Sequence, residues 1–217
     1  TLTTQTKKQI EDKFSTIELT FCIAISFSYS LCANLIMPFV KLYTASQPQI
    51  DYINYPLMYM IIAFGILNGI REPAIMMIDA SAYYQKTQRG AVLEVLINLV
   101  FTLGTFFFGV SGVLLGVVVA FLFRYIDVTR IVNRNIFKRS SIRSFRRGGQ
   151  TFLIVAIIYA LLHTAFQAYI RTWREWLIGA ITISIISGIF NFIVFYLTDK
   201  SSMQKLIGLI WRRIQRK

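Results

Sequence analysis

Four ionisable residues stand in or beside stretches of this chain that otherwise suit hydrocarbon: Arg71, Glu72, Asp79 and Glu94. A charge near the centre of a membrane helix costs about 2.5–3.5 kcal/mol even on lenient insertion scales. Residues kept at such a cost meet a charged ligand, carry ions, or pair with one another. Arg124 and Asp127 add a third charged position further along. Cationic guanidinium groups at such depth suit phosphate or carboxylate, which they grip through paired hydrogen bonds. Asn98 follows Glu94 by one helical turn and shares its face.

Chemistry of other kinds is not signalled. There is no HExxH, no phosphate-binding GxxxxGK[ST], no nucleophile–base pair and no metal-ligand spacing. The expectation is a non-enzyme without metal or cofactor. Cys22 and Cys32 are ten residues apart in one apolar run, about 15 Å along a helix, too far for a disulfide. His163 is the single histidine, set in an apolar stretch where a packed, hydrogen-bonded role is expected.

The elements that must position these residues are membrane helices. The chain has 217 residues, 55% of them hydrophobic, with mean hydropathy +0.57. The apolar residues are concentrated in long runs, as in a helical membrane protein. Six spans can be drawn, at 15–37, 55–78, 91–108, 110–126, 151–169 and 176–197. A turn at Gly109 separates the third from the fourth. Each is near the ~20 residues that cross ~30 Å of hydrocarbon. The fold class expected is all-α: a six-helix transmembrane lobe over 15–197, a polar cytoplasmic lead-in over 1–14, and a basic amphipathic tail over 198–217. Pro73 is expected to weaken or kink the second span just after Arg71.

The net charge is +13. Nucleic acid is not the expected partner, because the aromatics lie in the spans rather than in RNA-reading motifs. Of the 23 basic residues, all but Lys41, Arg171 and Arg174 fall on one set of alternating loops. The positive-inside rule then puts both termini in the cytoplasm. Tyr52, Tyr55, Tyr59, Trp173 and Trp176 form the outer aromatic belt. In the tail, Met203, Leu206, Ile207, Ile210, Trp211 and Ile214 recur at helical spacing. Lys205, Arg212, Arg213 and Arg216 occupy the other face. Anionic lipid is the expected partner of this helix, with Lys205, Trp211, Arg212, Arg213 and Arg216 at the membrane surface.

Topology gives the deep charges a depth. Arg71 lies about 24 Å into span two and Arg124 about 21 Å into span four, both running inward. Glu94 lies one turn into span three. All three reach the cytoplasmic third of the membrane, with Glu72 and Asp127 nearby. Two readings stand. The arginines lock helices together through Glu94, or they line a cavity and meet an anion, with Glu94 holding them until it arrives.

The run Arg71-Glu72-Pro73, Asp79, Tyr83, Thr87, Ala91-Val92-Leu93-Glu94 and Ile97-Asn98-Leu99 resembles the polysaccharide-transporter branch of the multidrug/oligosaccharidyl-lipid/polysaccharide exporter superfamily. Gly109 to Gly116, with Ala120 and Arg124, looks like that branch's next hairpin. The run Ser81-Ala82-Tyr83 departs from the branch's small-Gly-Tyr pattern. These are the lipid-linked oligosaccharide flippases of capsule and O-antigen (lipopolysaccharide) synthesis. The resemblance implies one lobe of a two-lobed transporter, the C-terminal half, whose partner is the missing N-terminal lobe. It implies alternating access in a bacterial cytoplasmic membrane, with a polyprenyl-pyrophosphate-linked oligosaccharide as cargo. Arg71, Glu72, Glu94, Asn98 and Arg124 are then the substrate-binding candidates. Two alternatives remain open: a drug/cation antiporter of the same superfamily, and a non-transporting membrane scaffold of envelope assembly.

Overall fold

In a computed structural model of the chain, residues 7–46 and 51–214 are described, with side chains described except at 7, 167–168, 210 and 212–214. The helices are α1 (Lys7–Tyr43), α2 (Tyr55–Ala80), α3 (Gln88–Thr105), α4 (Gly109–Ile131), α5 (Ile142–Tyr169), α6 (Trp173–Thr198) and α7 (Lys200–Ile214). No strand occurs among the described residues. Five helical stretches are long and apolar enough to cross a membrane. The third of these is 53 residues long, from Tyr84 to Ile136, and it holds α3 and α4. The chain is an all-α membrane bundle.

That long stretch is a hairpin. Gly109 takes φ +66°, a conformation open to glycine at little cost, just after the short 3₁₀ turn Phe106–Phe108. The helices then run back along each other. A Cβ at Gly112 would fall 2.0 Å from the Thr105 carbonyl oxygen, and one at Gly116 would fall 3.0 Å from the Thr102 backbone. The Thr105 hydroxyl donates to Gly112 O across the turn at 2.7 Å. Glycine at these positions lets two backbones approach, as small residues do in membrane helix pairs.

Other boundaries follow from capping and burial. Asn54 caps α2 by accepting from Leu57 N at 3.0 Å. Thr172 and Glu175 form a capping box at the start of α6. Two helices extend beyond the expected spans. The lead-in over 1–14 is helical from Lys7, and Ile10 and Phe14, one turn apart, pack against Val128, Val132 and Phe137 at the α4 end. The fifth helix begins at Ile142, ahead of the span expected from Thr151; its first turns are polar but buried in part against α1 and α4. α2 runs on through Pro73, whose ring is buried.

α1 is the central helix, packed against α2, α5 and α6. α2 continues the row to α4, and α4 to α3. α1 to α6 alternate in direction, and α7 runs on in the sense of α6, antiparallel to α1. Ile25 and Tyr29 of α1 face Gly69 and Gly65 of α2, and Trp176 at the start of α6 donates to Leu35 O near the end of α1 at 3.2 Å. The start of α1, the ends of α2, α4 and α6, the starts of α3 and α5, and α7 therefore share one end of the bundle. Outward faces of α3 and α6 are almost wholly apolar, with Val95, Leu99, Ile181 and Ile185 all more than half exposed. Such faces suit lipid.

Candidate functional site

The charged side chains gather at the shared end in two networks at one level. The first joins α2, α3 and α4. Arg71 Nη1 donates to Glu94 Oε1 at 3.1 Å. Glu94 Oε2 stands 3.4 Å from Arg124 Nε. Arg124 Nη1 donates both to Asp127 and to the Thr87 carbonyl, each at 3.1 Å. The Arg71 guanidinium also lies over the Phe121 ring, 4.0 Å from its centroid, where a cation meets the negative face of the ring. One carboxylate bridges two arginines, as the spacing along three helices implies.

The second network joins α1, α5, α6 and α7. Its centre is Arg147, which is 0% exposed. Its Nη1 donates to Glu18 Oε2 at 2.6 Å and to Ser15 O at 2.9 Å. Nε and Nη2 donate to Asp199 Oδ2 at 2.8 and 2.5 Å. Nη2 also reaches the hydroxyls of Ser15 and Ser202, each at 3.0 Å. Arg143 grips the other oxygen of Asp199 at 2.7 Å. Burial pushes the Asp199 carboxyl up, but hydrogen bonds and positive charge from Arg143 and Arg147 outweigh it and hold the group at about 2. A third arm ties Arg139 to Glu11 at 2.9 Å and to Asn133 at 2.6 Å.

Gly148 links the two networks. A Cβ there would come within 2.2 Å of Tyr125 Oη on α4 and 3.4 Å of Ile70 on α2. Arg147, one residue earlier, is thus level with Arg71 and Arg124, one residue beyond Ile70 and before Tyr125. Each network carries two arginines and two carboxylates, so each is close to neutral.

The two networks differ in how far their donors are spent. A guanidinium has five N–H donors. Arg147 places its three nitrogens on six acceptor contacts. Arg71 makes a single hydrogen bond, and its buried Nε has no acceptor. Arg124 uses Nη1 for both its hydrogen bonds. Their side chains keep 14% and 12% exposure. Arg147 has all three nitrogens engaged, whereas Arg71 and Arg124 keep donors that no acceptor fills among the described residues.

Of the other candidates, Asn98 accepts from the Thr102 hydroxyl at 3.2 Å, one turn from Glu94. Glu72 is half-buried and joins none of the ion pairs among the described residues. Lys205 pairs with Asp12 of α1 at 2.8 Å, and Trp211 is exposed. Met203 and Leu206 of the tail are turned into the bundle core rather than outward. Arg212 and Arg213 lie in α7 with side chains outside the described set, and Arg216 lies outside the described residues.

The Arg147 network is the feature that sequence reasoning missed. In the sequence Arg147 is one of the basic residues of the alternating loops, and nothing pairs it with Glu18. A signal existed: Ser15, Glu18, Cys22, Ser26, Ser30 and Asn34 recur on one face of α1, the pattern of a buried polar seam. In the fold that face meets Arg147 below and the Asn191 side chain above, which accepts from Ser26 Oγ.

The opposite half of the bundle holds a groove of about 280 Å³ between α2 and α5, with α1 beneath. Its walls are Ile62, Ala63 and Ile66 on one side and Phe152, Val155 and Ala156 on the other. Tyr59 and Tyr159 close it by a hydrogen bond of 2.9 Å between their hydroxyls. His163 joins this pair through Nε2, 3.4 Å from Tyr159 Oη. The Arg71 network is turned away from this groove, toward α3 and α4. No family model, curated protein or solved structure matches the chain.

Proposed function

We propose that the chain is one lobe of a lipid-linked oligosaccharide flippase, working with a second lobe by alternating access in a bacterial cytoplasmic membrane. Both termini and the charged level are then cytoplasmic. The reading rests on the resemblance of the Arg71–Arg124 region and is supported by one observation above the rest: the unspent donors of Arg71 and Arg124. Two guanidinium groups bridged by one carboxylate form a loaded receptor for a pyrophosphate. The incoming anion displaces Glu94, takes two or more charge-assisted hydrogen bonds, and leaves Glu94 to recapture the arginines after release. Pairing and ligand binding are therefore two states of one device. Such a neutral resting state avoids leaving two bare cations in a low-dielectric setting.

The antiporter reading is weaker. Glu18, Glu94 and Asp127 are each already held by an arginine, which leaves Glu72 as the acid at the charged level outside the ion pairs among the described residues. The scaffold reading draws on the Arg147 lock but leaves the unspent donors of Arg71 without a use.

Cell-surface polysaccharide and flipping in vesicles test the proposal. Arg71→Ala and Arg124→Ala should abolish transport at unchanged membrane level. Glu94→Gln should bind soluble pyrophosphate more tightly than the unaltered chain, since the competitor is removed. Unchanged surface polysaccharide in both arginine variants would refute the reading.

A further inference from the structure

The groove between α2 and α5 has an apolar floor and a polar rim, and no part of the charged networks reaches it. Ala33, Ala63 and Ala156 leave the space, and Ile62, Ile66 and Val155 line it. A mostly apolar cleft with a few convergent polar groups is the usual form of a small-molecule site. The polar groups here form a wire: Tyr59 Oη, Tyr159 Oη and His163 Nε2, at 2.9 and 3.4 Å. Tyr59 is 49% exposed and is the open end.

The wire's chemistry selects its ligand. Each phenol has one donor and two acceptor sites, and neutral imidazole has one donor and one acceptor. With the proton on His163 Nδ1, Tyr159 donates to Nε2, Tyr59 donates to Tyr159, and the open end is an acceptor. With the proton on Nε2, every bond reverses and the open end donates. An anion fits only the second state, whereas a donor finds a free acceptor site on Tyr59 in both. A hydroxyl, both donor and acceptor, fits both. The rings do not form an open cage for a cation. Tyr59 meets Tyr159 edge-on at 5.7 Å and Tyr55 meets His163 edge-on at 5.9 Å, so they fill one another's faces.

We infer that this groove binds a neutral amphiphile, with a hydrocarbon chain along the alanine-lined floor and a sugar or polyol head on the Tyr59–Tyr159–His163 wire. The site goes beyond the transporter reading, since that cargo carries a pyrophosphate between chain and sugar and the groove lining holds no cation to meet it; it is measured without transport.

The test uses the full chain in phosphatidylcholine nanodiscs, with the His163 ring signals followed by NMR. The probes are an alkyl glycoside below its micelle concentration, an alkyl sulfate and an alkyltrimethylammonium of equal chain length, and a methyl glycoside. The alkyl glycoside should shift the His163 signals and bind at least tenfold more tightly than each of the others. Tyr159→Phe should weaken it about tenfold and leave the charged amphiphiles unchanged. Ala63→Trp, which fills the floor, should abolish it. Equal binding of the three amphiphiles, a preference for the cation or the anion, or a methyl glycoside that binds as well as the alkyl one would each overturn the inference on the unaltered chain. Glycoside binding that persists while Arg71→Ala leaves surface polysaccharide unchanged refutes the flippase reading alone. Loss of transport in Arg71→Ala with no glycoside selectivity refutes the groove site alone.

Discussion

Glu18 and Arg147 stand 129 residues apart in the chain and 2.6 Å apart in the fold. The bond joins the first helix to the fifth, and the same guanidinium holds Asp199 at the junction of the sixth and seventh. Removing Arg147 leaves the buried Glu18 without its cation and Asp199 with Arg143 alone. Breaking a buried pair from one side costs about 3–5 kcal/mol. Arg147→Ala should therefore lower the thermal unfolding temperature in detergent far more than Arg71→Ala, whose site is more open and less bonded. Equal shifts would show that the saturated network is no stronger a lock than the unsaturated one.

Asp199 gives the lock a pH dependence. Its folded pKa, at about 2, lies below the ordinary 3.8. The unfolded state thus binds its proton first as pH falls. The stabilisation is full above about pH 5 and disappears as pH falls through 4 toward 2. Its size is on the order of 2 kcal/mol, at about 1.4 per pKa unit. Asp199→Asn should be less stable at neutral pH and should lose this acid limb. Unfolding followed from pH 6 to pH 2 in both chains measures it; parallel curves would refute it.

Glu94 holds Arg71 and Arg124 together, so the three should couple. Glu94→Gln leaves two cations facing one neutral amide, and Arg71→Ala relieves that excess. The double variant should be more stable than the sum of the single effects implies, by about 0.5–3 kcal/mol. Additive effects in a double-mutant cycle would mean that the 3.1 Å contact carries no stability. The same cycle with Arg147→Ala in place of Arg71→Ala should be close to additive, since the two networks share no partner.

Much of this was legible in the sequence. Apolar runs of near-spanning length, alternating basic loops and the Gly109 turn gave the helices and their hairpin. The Arg71–Glu94–Arg124 level followed from counting residues along three helices, because rise per residue is constant. What counting could not give is rotation about each axis. Arg147 sits among Arg143 and Arg146 in a stretch rich in cations, and only packing of α5 against α1 shows that one of them is fully buried. The inward turn of Met203 and Leu206 was hidden for the same reason. A helix with apolar residues on one face can lay them on lipid or on its own bundle, and Met203 took the bundle. Tyr59 reads as one of the outer aromatic belt, and its hydrogen bond to Tyr159 needs two helices a hundred residues apart in sequence.

The α3–α4 hairpin makes the last prediction. Gly112 has no room for a side chain, since a Cβ would lie 2.0 Å from the Thr105 carbonyl oxygen, a backbone atom that cannot swing away. Gly112→Ala must push the helices apart near the turn and break the Thr105–Gly112 hydrogen bond. Overpacking of this kind costs about 1–3 kcal/mol. Gly104 is the matched control: it lies in α3 of the same hairpin, and nothing stands within 4 Å of its Cβ position. Gly104→Ala should be neutral or stabilising by up to about 1 kcal/mol, because alanine favours helix over glycine. Spin labels at Leu103 and Val113 should report a longer distance in Gly112→Ala and an unchanged one in Gly104→Ala. If both alanines are tolerated equally, the close backbone approach that places Glu94 opposite Arg124 is not required for the fold. The level of the charged network would then have to be set from the α2–α4 contact instead.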